Sequence, residues 1–379
     1  MDISNYRNEI DEIDQELIKD LDRRMRVSEK IAEWKKENDV KVYDPVRERE
    51  LLDKIVDASS PDLAYYNKVL FRTIMEMSRE HQMTILHQES ALAADIRHAL
   101  DVTPNVFPEQ AVVACQGVPG AYSQEACDRF FKMPKIMYMK NFRGVFAAIQ
   151  GGLCRYGILP IENSTAGSVN QVYDLMMEYN FHIVRSMKVK INHCLLANPG
   201  TRKEDIREIV SHEQALAQCE EYLKNFPLAK IHVVENTAEA AKMVSESGRK
   251  DIAAIASGAN GQNYSLECLD ENIQDSGNNY TRFICITKDL EIYPGANRTS
   301  IMLVTEHRPG ALYQVMARFN ALGVNILKLE SRPRADTEFE FMFYFDIEQS
   351  VYSEEFVQMI SQLEDCCQNV RYLGSYQEV

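Results

Sequence analysis

The sequence predicts a multidomain chain in which an all-α segment, an α/β segment and an α+β segment follow one another. Three observations predict this. The first 93 or so residues contain no glycine and carry apolar residues at helical spacing. From Ala111 short apolar runs alternate with helical patterns. After a proline- and glycine-containing stretch near residue 294, the pattern becomes strand, helix, strand, strand, helix, strand. At 379 residues the chain is also too long for one ordinary core.

In the first segment, Ile10, Ile13, Leu17, Leu21 and Met25 step by three and four. The stripe predicts one helix from about Ser4 to Lys36, roughly 50 Å long at 1.5 Å per residue. So long a helix cannot bury its stripe within a small monomer, and an oligomeric bundle is expected. Asp44-Pro45, an N-cap followed by proline at the first helical position, opens a second helix. A third is expected over about Asp62 to Ala94. Residues 99–110, with Pro104 and Pro108, read as a linker.

The α/β segment is carried by the runs AVVAC, YGILPI, KIHVV, DIAAIA and RFICIT. The stretch EIYPGAN, residues 291–297, is a second linker. The remainder reads TSIMLVTE, GALYQVMARFNAL, NILKLES, EFEFMFYFDI, SEEFVQMISQLEDC and NVRYLGSY, the βαββαβ order of a ferredoxin-like unit. The expected domains are residues 1–95, 110–289 and 298–376.

Composition narrows the function. A formal net charge of −15 argues against nucleic acid or an anionic membrane as the main partner. It leaves room for an anionic small substrate, provided that cations are gathered locally. No run approaches the ~18 apolar residues that span a bilayer. The acidic start, MDISNYRNEIDEID, does not read as an export signal. Nine cysteines without CxxC spacing read as reduced thiols of a cytoplasmic protein, with no metal site. No G-x-G occurs anywhere, against a dinucleotide cofactor.

Cations do gather in the helical segment. Arg24 and Lys35 are eleven residues apart, a net rotation of about 20° on a straight helix, so they share a face. Arg7 is offset from Arg24 by about 100° and cannot join them from the same helix, but an antiparallel partner chain could bring its own Arg7 in. Ser78 and Gln82, four apart, also share a face. Singly, each is an ordinary surface residue, and Asp44 is a helix cap.

Together the runs NYRNEIDEIDQELI, DRRMRVSEKIAEWK, VYDPVRERELL and MEMSREHQ resemble an all-helical chorismate mutase. The resemblance implies active-site roles for Arg7, Arg24, Lys35, Asp44, Arg47, Glu48, Ser78 and Gln82. It implies a pericyclic rearrangement of chorismate to prephenate, needing neither nucleophile nor metal. Forked arginines suit the two carboxylates of that substrate.

Four motifs mark the middle segment. QGVPGAYS (116–123) and PIENSTAG (160–167) follow strands, SHEQALAQC (211–219) opens a helix, and NNYTRF (278–283) begins a strand. Any one alone is a loop or cap; together at sheet ends they mark a small-molecule cleft. Their order is similar to that of prephenate dehydratases, whose fold has two α/β lobes like those of periplasmic binding proteins. The resemblance implies that Thr281 is the essential group and that Ser123, Asn163, Ser164, Thr165, Gln214 and Ala215 lie near substrate. Arg282, next on the strand, points to the opposite face and reads as structural. Family members often carry Asp where Asn278 stands here.

RPGALY (308–313) and ESRP (330–333) match the motifs of phenylalanine-binding ACT domains. That resemblance implies phenylalanine as an allosteric effector, held between paired domains near Gly310, Ala311, Leu312, Glu330 and Ser331. The whole then resembles a cytoplasmic, cofactor-free bifunctional enzyme of phenylalanine biosynthesis, acting as a homodimer or homotetramer. Rival readings are a mutase–dehydrogenase, which needs the missing nicotinamide fingerprint, a helical dimeriser, and a non-catalytic aromatic amino-acid sensor on the same domains.

Overall fold

A computed structural model of the chain describes residues 3–38, 40, 42–86, 90–307, 310–333 and 341–379. These fall into two compact units, one of residues 1–94 with 357–366 and one of residues 95–356 with 367–379.

The helical unit contains α1 (Ile3–Glu37), α2 (Pro45–Ala58) and α3 (Ala64–Leu86). The 35 residues of α1 span about 52 Å at 1.5 Å per residue. Only its C-terminal half is covered: Leu21 and Met25 are half-buried and Ala32 is buried, whereas Ile10, Ile13 and Leu17 are exposed. Asp44 caps α2, its Oδ1 accepting from the backbone N–H groups of Val46 (3.1 Å) and Arg47 (3.0 Å).

The third expected helix is shorter than its pattern. It is described as far as Leu86 and is interrupted at Ser90, after which α4 (Ala91–Val102) starts; the Ser90 Oγ accepts from the Ala93 N–H at 3.1 Å. That hydroxyl is a local alternative to the helical ladder, which is why serine favours a cap over an interior. α4 runs into the expected linker and stops at Val102, because Pro104 disfavours a helical conformation at Thr103.

After α4 the second unit continues with β1 (Gln110–Gln116), α5 (Tyr122–Phe130), β2 (Met133–Met139), α6 (Phe142–Gln150), β3 (Tyr156–Asn163), β4 (Gly167–Ser168), α7 (Asn170–Glu178) and β5 (His182–Lys190). The chain then builds a second lobe. It comprises β6 (Cys194–Ala197), β7 (Glu208–Ser211), α8 (Glu213–Ala217), α9 (Glu220–Leu223), β8 (Lys230–Val233), α10 (Thr237–Ser247), β9 (Ile252–Ala256), α11 (Ala259–Asn263) and β10 (Glu267–Asp270). It returns through β11 (Tyr280–Thr287) to the first lobe, so the chain crosses between lobes twice.

The last elements are β12 (Arg298–Val304), α12 (Ala311–Ala321), β13 (Asn325–Pro333), β14 (Phe341–Glu348), α13 (Glu354–Cys366) and β15 (Asn369–Glu378). The elements follow the βαββαβ order expected from the sequence, and their strands form an antiparallel sheet β13-β14-β12-β15. It does not stand alone. β15 pairs in parallel with β5, joining it to β5-β11-β3-β1-β2 as one continuous sheet. The second lobe has its own sheet, β10-β6-β9-β7-β8. The central strands β3 and β11 are buried along nearly their whole length, as their unbroken apolar runs require.

Candidate functional site

In the helical unit the α1–α3 seam carries polar side chains where a core would carry apolar ones. Arg24 Nη1 donates to Ser78 Oγ and, at 3.4 Å, to the Ile74 carbonyl. Gln82 Nε2 donates to Ser28 Oγ at 2.9 Å, and Ser28 donates to the Ser78 carbonyl at 3.3 Å. Gln82 Oε1 is buried with no partner among the described residues. Lys35 Nζ donates to the Val42 carbonyl at 2.5 Å, folding the α1–α2 connection onto the end of α1. Burial lowers the Lys35 pKa below the usual lysine range, although the charges of Asp44 and Glu48 oppose the shift. Arg24 is lowered by burial as well.

Of the eight residues expected here, Arg24, Ser78 and Gln82 are linked by hydrogen bonds through Ser28, and Lys35 is coupled by charge to Asp44 and Glu48. Arg47 is exposed and lies 3.7 Å from Glu50, and Arg7 is exposed on the uncovered half of α1. Two further residues belong to the group. Arg79 binds Glu48 and stacks 5.3 Å over the ring of Tyr43, and Ser28 links Gln82 to α3. Arg79 stands inside the run MEMSREHQ, yet a helix pattern gives no reason to choose it over its neighbours.

In the second unit a cleft of about 450 Å³ opens between the lobes. Four of its walls are the four motifs. Ser123, Asn163, Gln214, Ala215 and Thr281 line it, and Thr165 lines an adjoining recess with Gln214 and Gln218. Ser164 faces elsewhere: its hydroxyl donates to the Asn278 carbonyl at 2.8 Å and accepts from the Tyr280 N–H at 2.9 Å, fastening this loop to the start of β11. The glycine turn approaches the second lobe closely. A Cβ on Gly120 (φ 89°) would fall 2.1 Å from Asn260 Oδ1, and the Gly120 carbonyl accepts from Asn260 Nδ2 at 3.1 Å.

Thr281 stands opposite Asn163 in the β11–β3 ladder. Asn163 Oδ1 accepts from the N–H groups of Thr165 and Ala166, both at 2.9 Å, which fixes its amide the right way round. Its Nδ2 then donates to Thr281 Oγ and to Asn279 Oδ1, each at 2.9 Å. The Thr281 oxygen therefore accepts from Asn163, and its own proton is left to donate into the cleft.

The relay continues. Asn279 Nδ2 donates to Gln218 Oε1 at 2.8 Å, and His193 Nε2 meets the same oxygen at 3.0 Å. An amide oxygen only accepts, so His193 carries its proton on Nε2. Burial lowers its pKa, although the Gln218 hydrogen bond opposes the shift, and its buried Nδ1 has no partner among the described residues. Asn279 and Gln218 lie within the quoted motifs, whereas His193 lies in none.

Among the described residues no lysine or arginine lines this cleft. The N-termini of α5 and α10 open onto it at Tyr122 and Thr237, and Glu235 also lines it. Among the described residues no group of three or more His, Cys, Asp or Glu could hold a metal ion, and no helix is long and apolar enough to cross a membrane.

In the C-terminal segment Ala311 and Leu312 line a recess of about 360 Å³ with Thr305, His307, Phe341 and Phe343. Gly310, at φ 87°, starts α12 in the left-handed region that suits glycine. Arg308 and Pro309 of the same motif lie outside the described residues. Glu330 and Ser331 are not part of this recess. Glu330 instead accepts from Ser168, which lines the cleft, at 2.8 Å. Among the described residues the two motifs thus line no common recess.

Comparison with known proteins agrees with the two-site reading. The prephenate dehydratase family model matches residues 113–291, and that of chorismate mutase type II matches residues 6–83. A bifunctional chorismate mutase/prephenate dehydratase of Aquifex aeolicus is 30% identical over 99% of this chain and 98% of its own length. A chloroplastic arogenate dehydratase/prephenate dehydratase of Arabidopsis thaliana is 39% identical over 70% of this chain and 72% of its own. Among solved structures, a prephenate dehydratase from Arthrobacter aurescens in complex with L-Phe superposes with a TM-score of 0.64 at 27% identity, covering 70% of this chain and 90% of that one.

Proposed function

This chain belongs to the bifunctional chorismate mutase/prephenate dehydratase family, and from that premise we infer which of its residues carry each reaction. The protein converts chorismate to prephenate and prephenate to phenylpyruvate, two consecutive steps toward phenylalanine. We assign the first reaction to residues 1–95 and the second to residues 110–289.

Chorismate rearranges without a covalent catalyst. The site has to hold the extended molecule in its folded, chair-like conformer and stabilise the negative charge growing on the breaking ether oxygen. Arg24 and Arg47, with Arg7 from a partner chain, hold the two carboxylates. Lys35 and Gln82 donate to the ether oxygen, and Glu48, braced by Arg79, holds the ring hydroxyl. Ser78 orients Arg24, and Asp44 fixes the start of α2. An antiparallel homodimer is supported by the exposed stripe Ile10, Ile13 and Leu17 beside Arg7.

Prephenate loses its ring hydroxyl and ring carboxylate together. The C–C bond to the carboxylate breaks, its electrons complete the aromatic ring, and the C–O bond to the hydroxyl breaks at the far side. One proton must reach the departing oxygen, so that the products are phenylpyruvate, CO2 and water. Thr281 donates a hydrogen bond to that oxygen, and the N-termini of α5 and α10 receive the negative charges of substrate. Ser123, Asn163, Thr165, Gln214 and Ala215 shape the pocket, and Ser164 holds the motif to β11.

Residues 298–376 form the regulatory ACT domain. Phenylalanine binds between paired copies, where Gly310, Ala311 and Leu312 of one chain meet Glu330 and Ser331 of the next, and it restrains the dehydratase. The presence of L-Phe in the Arthrobacter aurescens relative supports this. A cytoplasmic location completes the reading.

The observation that carries the assignment is the Asn163–Thr281 bond at the foot of the cleft. The test is a cofactor-free assay from chorismate to phenylpyruvate. Thr281→Ala should stop at prephenate, and Lys35→Ala should leave chorismate unconverted while still consuming added prephenate. Phenylpyruvate formation by Thr281→Ala at the normal rate refutes the assignment.

A further inference from the structure

Arg282 follows Thr281 on β11, and strand alternation sends its side chain to the opposite face. There it is enclosed, with 7% of the side chain exposed, and its Nη2 lies 2.5 Å from Oδ2 of Asp346. Asp346 is fully buried on β14. Its other oxygen accepts from the hydroxyls of Tyr344, at 2.6 Å, and Ser300, and Ser300 also contacts the Tyr376 hydroxyl at 2.7 Å. The next nearest countercharge to Arg282 is Glu162 on β3, at 3.9 Å, itself held by Lys328 of β13 at 2.9 Å. The guanidinium beside Thr281 is thus held mainly by a carboxylate of the C-terminal segment.

The ladder makes this consequential. Thr281 pairs with Asn163 and Arg282 with Glu162, and the register then slips between Arg282 and Phe283. Such an irregularity re-aims the side chains beside it. At this one Arg282 is the anchored residue and Thr281 the neighbour that faces the cleft. We propose that Asp346 is a positioning residue for the dehydratase reaction: by holding Arg282 it fixes the irregularity in β11 that directs the Thr281 hydroxyl at substrate. The C-terminal segment is then a structural part of the dehydratase site, whatever else it senses. This rests on Thr281 being the acting group.

An unpaired buried charge relaxes by moving, and a shift of Thr281 of about 1 Å is worth about 100-fold in rate. The test uses the full chain, with circular dichroism and the melting temperature of each variant as the measure of folding. Asp346→Asn keeps the shape and removes the charge. Its dehydratase kcat should fall about 100-fold with KM for prephenate within about threefold, the pattern of lost transition-state alignment. The double variant Arg282→Met/Asp346→Leu removes both charges, so it should melt at a higher temperature than the single variant and still turn over slowly. Normal kcat in Asp346→Asn, or kcat restored in the double variant, overturns the proposal and leaves the pair a support of the fold alone. Thr281→Ala, measured alongside, separates the two ideas. If it keeps its turnover, the Thr281 assignment fails; if it loses turnover while Asp346→Asn does not, only the role of Asp346 fails.

Discussion

Replacing Asn163 by aspartate exchanges one amide nitrogen for oxygen and changes almost nothing else. The retained Oδ1 still accepts from Thr165 and Ala166 N–H. The new oxygen faces Thr281 Oγ and Asn279 Oδ1, each at the 2.9 Å where Nδ2 now donates. Two acceptors then confront an acceptor, and the only proton able to relieve one contact is that of Thr281 itself. Its hydroxyl turns inward and no longer donates to the leaving oxygen. Loss of one preorganised donor costs about 100- to 1,000-fold in kcat, or about 2.7–4 kcal/mol of barrier. The buried site, with Asn163 only 6% exposed, should also lose about 1–3 kcal/mol of stability. The assay is dehydratase kcat and KM against an enzyme-free blank, with mutase turnover as control. The sign of the pH response is a sharper check. Once protonated, the introduced carboxyl can again donate to Thr281, so the variant should recover rate as pH falls, while the wild-type amide has no proton to gain. A variant with kcat within about threefold of wild type across the pH range would refute the orientation argument.

Two further outcomes follow from the helical unit. On the proposed role of Lys35 as a protonated donor, with its pKa lowered by burial, mutase kcat/KM should be full on the acid side and fall as pH rises, beginning below the usual lysine range; a profile flat to about pH 10 would contradict this. If each site borrows Arg7 from its partner, co-expressed Arg7→Ala and Lys35→Ala chains, each inactive alone, should recover about a quarter of wild-type mutase activity, because half the dimers are mixed and each mixed dimer has one intact site. Recovery no greater than the sum of the separate variants would place Arg7 in its own chain's site or outside any site.

Local chemistry makes much of this protein legible. The α2 cap is readable because aspartate before proline satisfies helix-end N–H groups in any context. The α1 stripe is readable because its period is set by helix geometry, and the length argument expects part of it to be uncovered. The interruption at Ser90 is not, because its hydroxyl caps α4 in a way that apolar spacing does not record. In the cleft the motifs mark Asn163, Gln214 and Thr281, and His193 escapes because a lone histidine in an apolar stretch carries no pattern of its own.

The sequence by itself determined the order of the segments, the faces of their helices and strands, and the motifs that mark each pocket. These depend on residues a few positions apart, whose relative placement is fixed by backbone geometry. Only the tertiary structure decided that Asn163 orients the Thr281 hydroxyl, 118 positions away, and that Arg282 and Asp346, 64 positions apart, share a buried charge. It also decided that β15 extends the sheet of β5, so that the terminal segment is continuous with the lobe carrying Thr281. Strand order and register decide which side chains meet across a sheet, and they are set by packing of the whole chain rather than by any local run of residues.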